Sequence, residues 1–196
     1  MNIQTESTED KIISATFRLI RKDGIDKVTT KKIAAEAGVN EVTIFRKFNN
    51  KQNLVDITKD HYMELFLNKM EEIFSFDEDI SIEQYLKDNF FGLLNLSDEE
   101  FSVLKVAMEE GGEISDRKRL ISQINDVILD NIEEFFKLQI QKGEIKDINP
   151  RALSIMCFGV TFQSIVLWKV YNKTPSVETE QYFQEYINII FNGIKE

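Results

Sequence analysis

One stretch of the chain, residues 29–51, constrains the fold more than any other, and it reads TTKKIAAEAGVNEVTIFRKFNNK. Its pattern predicts two short helices joined by a tight turn. The first helix is expected to end at Gly38, because glycine readily adopts the left-handed backbone of a helix exit. Asn40 can cap the second helix, whose inward residues Ile44 and Phe48 lie four positions apart. This arrangement is typical of a helix-turn-helix, whose second helix enters the DNA major groove.

Positive charge is concentrated in the same part of the chain. Residues 27–51 contain six Lys/Arg and two Asp/Glu, a local net charge of +4 within a chain of net charge −10. Residues 1–60 carry +2, whereas residues 61–196 carry −12. DNA repels the acidic part, so only the N-terminal part is expected to dock. A small helical hairpin with a solvated basic face is the alternative, but the residue spacing together with the charge favours DNA binding.

The run from Thr43 to Leu54, TIFRKFNNKQNL, carries a specific resemblance. Together with the preceding residues it resembles the DNA-binding domain of the TetR (tetracycline-repressor-like) family, and the detailed match covers about residues 10–57. The family most often has tyrosine where this chain has Phe45, so one phenol–phosphate hydrogen bond is lost here. The resemblance implies phosphate contacts from Thr29, Thr30, Lys31 and Lys51, base or backbone contacts from Glu41, Val42 and Thr43, and groove contacts from Phe45, Arg46 and Lys47.

Helical periodicity extends over the whole chain, which contains only two prolines and eight glycines. The sequence therefore predicts an all-α fold of about nine helices. A three-helix head containing the helix-turn-helix would be followed by a larger helical-bundle body. We expect residues 1–50 to form the DNA-binding domain and residues 51–196 to form a ligand-binding and dimerisation domain.

The last two predicted helices, about 150–171 and 177–194, suggest a homodimer. The first is apolar on most of its circumference, and nothing later in the chain covers the outer face of the second. Two helices from each subunit would make a four-helix interface, although both could also be ordinary core. The residues predicted for this interface are Phe158, Ile165, Trp168, Phe183, Ile187, Ile190 and Phe191.

Aromatic residues are concentrated in the predicted body. Only three of the 21 lie in residues 1–60, and apolar pockets between helices are often lined by such side chains. Each candidate for a ligand pocket is also a candidate for plain core. The candidates are Phe66, Met70, Phe90, Leu94, Phe101, Met108, Phe135, Met156 and Phe162.

The sequence offers little for catalysis. His61 is the sole histidine, and there is no nucleophile motif, phosphate loop or His/Cys cluster with metal spacing, so we expect no enzyme activity, cofactor or metal. The single cysteine, Cys157, excludes an internal disulfide and suits a reducing cytoplasm. The polar N-terminus is not a signal peptide, and the apolar stretch 157–170 is too short and too polar to span a bilayer.

These features together predict a sequence-specific transcriptional regulator in the cytoplasm. By resemblance it is a homodimeric repressor, released from a palindromic operator in double-stranded DNA by a small apolar or aromatic effector bound in the body. The protein would instead be an activator if the same ligand-dependent shift acted in the opposite direction. One alternative is a TetR-like module that responds to a protein partner, and another is a helical enzyme that uses His61.

Overall fold

The computed structural model of the protein describes residues 7–109, 114–169, 171 and 177–194, which form an all-α fold. These residues contain nine α-helices, one short 3₁₀ helix and no strand, and this confirms the predicted fold class. A 3₁₀ helix, Ile25–Lys27, lies between the first two α-helices. The α-helices are α1 (Thr8–Asp23), α2 (Thr30–Ala37), α3 (Glu41–Phe48), α4 (Lys51–Phe74), α5 (Ile82–Leu94), α6 (Asp98–Glu109), α7 (Ile114–Gln141), α8 (Pro150–Lys169) and α9 (Thr179–Ile194).

The described residues pack into two compact units. The first unit contains residues 7–66, 98–109 and 114–117, and the second contains the other described residues. Helices α4 and α7 therefore each contribute to both units. The division of function between residues 1–50 and 51–196 stays a prediction, because packing does not test it.

Polar side chains define where several helices begin. At α1, the Ser7 hydroxyl accepts a hydrogen bond from the Asp10 N–H, and the Asp10 carboxylate accepts one from the Ser7 N–H. This reciprocal pair satisfies two backbone donors at the helix start. At α8, the Asn149 side chain accepts from the Ala152 N–H at 2.9 Å, and Pro150 is the first helical residue, as the sequence predicts.

The first unit has an aliphatic core between α1, α2 and α3. The Phe17 ring of α1 stacks on the Tyr62 ring of α4, with ring centroids 3.6 Å apart. An ion pair of 3.6 Å joins Arg21 of α1 to Glu99 of α6. The fully buried apolar residues of this unit are Ile12, Ala15, Val28, Ile33, Ile44, Phe48, Leu54 and Val55.

The second unit has an aromatic core. Phe90 of α5 contacts Phe183 of α9, with ring centroids 5.4 Å apart, and Tyr85 lies 3.9 Å from Phe135 of α7. The Tyr85 hydroxyl donates to the Phe74 carbonyl at 3.0 Å, which satisfies its polar end inside the core. Most of the aromatic side chains that mark the body in the sequence therefore serve as core.

Helix α8 buries one side and exposes the other. Its buried side includes Leu153, Cys157 and Ile165, whereas Met156 and Val160 are 56% and 44% exposed.

Burial raises the pKa of the Cys157 thiol to about 11, so this side chain is protonated near neutral pH. Among the described helices, α8 is long and apolar enough to cross a membrane, by length and composition only. Helix α8 is thus longer than the apolar stretch 157–170 considered in the sequence. A helix in the core of a protein also meets these criteria of length and composition.

Candidate nucleic-acid interface

A tight turn joins α2 to α3 in the first unit. Gly38 has a φ of +67° in the left-handed region, which glycine adopts without strain. This geometry lets the Val39 N–H donate to the Ala34 carbonyl at 2.9 Å. The next residue, Asn40, caps the start of α3, and its side chain accepts a hydrogen bond from the Val42 N–H at 2.9 Å. The turn predicted from the sequence is confirmed at each of these positions.

Small and apolar residues hold α2 and α3 against the rest of the unit. Ile33 and Ala34 of α2 are buried, as are Ile44 and Phe48 of α3. A methyl side chain at Ala34 lets the two helices approach closely, whereas a larger residue would force them apart. Because the core takes these positions, the other residues of α3 are exposed or half-buried.

The ten predicted DNA-contact residues all lie in the first unit, on α2, on α3 or next to them. Most are exposed, which a surface contact requires. The exposed members are Thr29, Lys31, Val42, Phe45, Arg46 and Lys47, and the half-buried members are Thr30, Glu41, Thr43 and Lys51. What each of them touches on DNA stays a prediction.

A hydrogen bond between two of these residues joins the starts of α2 and α3. The Thr30 hydroxyl donates to a Glu41 carboxylate oxygen at 2.6 Å. Eleven residues separate the pair in sequence, so helix periodicity gives no sign of it. The bond engages both side chains within the protein and fixes the start of the recognition helix against α2.

Three lysines of the basic surface already have partners within the protein. The Lys47 ammonium pairs with Glu9 of α1 at 3.2 Å, and the Lys32 ammonium pairs with Asp23 at 3.1 Å. The Lys51 ammonium donates to the Ile25 carbonyl at 3.2 Å. That bond leaves two N–H donors on Lys51, since an ammonium has three. For Lys47, the negative charge of Glu9 would compete with DNA for the same ammonium group.

Replacing Glu9 with glutamine is therefore expected to strengthen DNA binding. The substitution removes the ion pair that Lys47 gives up on binding, and exposed pairs of this kind correspond to about a two- to fivefold change in an equilibrium constant. The measurement is the dissociation constant by fluorescence anisotropy at fixed salt. Glu36→Gln is the matched control, because Glu36 pairs at 3.1 Å with Arg18, outside the predicted contacts. Equal effects of the two variants would show that only net charge matters.

The nine predicted pocket residues do not form one group in the structure. Phe66 and Phe101 belong to the first unit, and the Met108 side chain lies outside the described part of the chain. Met156 faces solvent on α8, so it does not line the interior of its own protomer. The remaining five belong to the second unit: Met70, Phe90 and Phe135 are buried, and Leu94 and Phe162 are half-buried. An open cleft of about 370 Å³ in that unit, beside Gln139 and Phe191, includes none of the nine.

The second unit contains a buried polar residue, Asn89, that no sequence pattern indicates as functional. Asn89 of α5 is 4% exposed, and neither its amide oxygen nor its amide nitrogen has a hydrogen-bond partner among the described residues. A buried amide left unpaired costs about 1–3 kcal/mol. The only sign of it in the sequence is a polar residue one turn from Tyr85 on an apolar helix face.

The predicted dimer residues mostly face inward. Four of the seven, namely Phe158, Ile165, Phe183 and Ile187, are buried within their own protomer. These four side chains are not on the surface of the protomer, because they pack from α8 and α9 into the core of the second unit. The outward face of the two helices instead exposes Ile155, Met156, Val160 and Ile189.

His61 lies on the exposed side of α4. Its ring lies edge-on to Tyr62, with centroids 5.4 Å apart. Within the described ranges, no group of three or more His, Cys, Asp or Glu residues is placed to hold a metal ion.

The fold and this surface define a helix-turn-helix DNA-binding protein. Residues 12–56 match the family model described as bacterial regulatory proteins, tetR family. The N-terminal part of the chain is therefore a DNA-binding domain of the TetR type.

Individual relatives agree with this assignment. An uncharacterized HTH-type transcriptional regulator of Bacillus subtilis, YvkB, is 49% identical over 49 residues, which span 25% of this chain and about a quarter (26%) of YvkB. A protein of the same organism named fatty acid metabolism regulator protein is 26% identical over 167 residues, 81% of each chain. The structure of the fatty acid degradation regulator FadR from Bacillus halodurans has a TM-score of 0.62 and 22% identity, covering 86% of this chain and 88% of that one. All three proteins are named as regulators.

Proposed function

We propose that this protein is a cytoplasmic repressor of the TetR family that binds a palindromic operator as a homodimer and leaves it when a small ligand binds in the body. The helix-turn-helix carries this proposal, because α3 combines a buried inner face with an exposed face bearing Arg46 and Lys47. Thr29, Lys31 and Lys51 would contact phosphates beside the groove. Arg46 and Lys47 would lie in the groove, where arginine pairs well with guanine.

The dimer interface proposed for α8 and α9 is their outward face. Support comes from four exposed apolar side chains, Ile155, Met156 and Val160 on α8 and Ile189 on α9. Gly159 lies among them, and a Cβ placed there would meet nothing within 4 Å. Its missing side chain allows a partner helix to approach closely, as packed helix pairs require. Two such faces would form a four-helix interface.

The ligand proposed for the body is largely apolar with one polar end. Support for the apolar part comes from the side chains of Met70, Phe90 and Phe135 in the second unit. Asn89 would bind the polar end, because its amide has no partner in the described protein. Two relatives named as fatty acid regulators favour an acyl chain as the apolar part.

Release from DNA would follow from a shift between two dimer arrangements. A dimer reads a palindrome when its recognition helices lie about 34–36 Å apart, one turn of DNA. A ligand that prefers another spacing lowers operator affinity, and a coupling free energy of about 1–3 kcal/mol is typical. Helix α4 is the proposed connection, since it contributes residues 51–66 to the first unit and 67–74 to the second.

The first test is selection of bound sequences from random duplex DNA at two salt concentrations. We expect the selected sequences to share a palindromic consensus. The affinity of the protein for this operator should then fall by about fivefold or more when fatty acids or their coenzyme A thioesters are added. Binding that selects no sequence and vanishes at moderate salt would contradict a specific operator. A clear operator with no response to any acyl compound would favour a protein partner as the effector.

The same titration assigns the polar end of the ligand. Asn89→Leu replaces an unpaired amide with an apolar group of similar size, so the protein should fold as well as before while ligand affinity falls about three- to tenfold. Asn68→Leu makes the same change at an exposed position of α4 and should leave binding unchanged. If Asn89→Leu and Asn68→Leu bind the ligand equally well, Asn89 is not part of the ligand site.

A further inference from the structure

Two apolar side chains stand out on the exposed face of the recognition helix. Val42 in the first turn of α3 is 70% exposed, and Phe45 is 47% exposed. They lie three residues apart, so they are neighbours on one face of the helix. The inward residues Ile44 and Phe48 are fully buried, so neither Val42 nor Phe45 is needed to cover the core.

Two polar groups beside Val42 at the start of α3 are already engaged within the protein. The Val42 N–H donates to the Asn40 side chain at 2.9 Å, and the Glu41 carboxylate accepts the Thr30 hydroxyl at 2.6 Å. The start of α3 therefore presents a branched alkyl group where many recognition helices present hydrogen-bonding groups. The N-terminal residues of such a helix are those that contact base edges.

The major groove offers one apolar group to match an alkyl side chain, the 5-methyl group of thymine. We infer that Val42 reads a thymine in each operator half-site through contact with this methyl group, with Phe45 flanking the same contact. The inference rests on the operator binding proposed above and adds the identity of one base to it. An A·T pair is then required at the position that faces the start of α3.

Deoxyuridine provides the test, because it keeps every hydrogen-bonding group of thymidine and lacks only the methyl group. In the selected operator, each thymidine is replaced in turn by deoxyuridine in both half-sites, and the dissociation constant is measured. One symmetric position should lose about fourfold per half-site and about fifteenfold in total, the effect expected for one buried methyl group at each site. Val42→Ala should bind the thymidine operator more weakly and lose most of this discrimination.

Lys31→Ala is the matched control, since it weakens binding without touching the alkyl group and should retain the full deoxyuridine effect. An operator that tolerates deoxyuridine at every position would overturn the inference while leaving operator binding intact. A deoxyuridine effect undiminished in Val42→Ala would overturn the assignment to Val42. Failure to select any operator would overturn both this inference and the proposed function, so the two failures are distinguishable.

Discussion

Replacing Met156 and Val160 with glutamate is expected to convert the protein into a monomer and to lower operator affinity by about 10²–10⁴-fold. Both side chains are exposed on α8, so the charges should be tolerated by the protomer and should act only where a second copy approaches. A protein of net charge −10 gains a further repulsion between its two copies. The loss of affinity follows because two linked heads bind a palindrome far more tightly than one head alone. Sedimentation should give the protomer mass of 22.9 kDa for the variant and twice that mass for the original protein.

Leu65→Glu is the matched control for this experiment. Leu65 is also an exposed apolar residue, 51% accessible, but it lies on α4, away from α8 and α9 in the sequence. It should add one negative charge, half of what the double variant adds, without changing the sedimented mass. A glutamate variant at Met156 and Val160 that still sediments as a dimer would exclude this face as the interface, and the four-helix arrangement would have to be abandoned.

The outward face of α8 illustrates what the sequence does not determine. Its apolar periodicity predicts the helix correctly, but a helix apolar nearly all round gives no indication of which side meets its own protomer. Phe158 and Ile165 fit an interface as well as Met156 and Val160 do by hydropathy. The packing of α4, α5 and α9 against α8 separates the two faces, and several of those contacts join residues far apart in the chain.

The head was more predictable because its signals are local. Gly38 and Asn40 set the turn through their own backbone preferences, and Ile44 and Phe48 set the inward face by spacing. The interactions that join distant residues were missed. The pair of Lys47 with Glu9 spans 38 positions, so its effect on DNA affinity could not be anticipated from charge counts.

The ligand site was the least predictable feature of the chain. Aromatic residues favour a core and a pocket for the same reason, since both bury apolar area. Phe90 and Phe135 illustrate this, because their ring contacts are those of an ordinary core. A buried polar group without a partner is a better indicator, and Asn89 becomes visible only once its surroundings are known.

Replacing Phe48 with alanine is expected to unfold the head while the rest of the protein stays folded. Phe48 is fully buried at the end of α3, and truncating a buried phenylalanine costs about 3–5 kcal/mol. Hydrogen exchange of α2 and α3 amides should then accelerate by about two to four orders of magnitude, and operator binding should be lost. Trp168, the sole tryptophan, packs against Tyr182 in the second unit, so its fluorescence reports on that unit separately. Its denaturant midpoint should remain unchanged.

Phe45→Ala is the comparison that distinguishes the exposed face of the recognition helix from its buried face. It makes the same truncation as Phe48→Ala, but three residues earlier and on the exposed side. Phe45 is 47% exposed, so its truncation removes much less buried area than that of Phe48, and exchange of the α2 and α3 amides should accelerate far less. Operator affinity should nevertheless fall, since Phe45 flanks the proposed contact with thymine. If Phe45→Ala accelerated exchange as strongly as Phe48→Ala, then Phe45 would be part of the core, and the exposed apolar face that the reading of thymine requires would not exist.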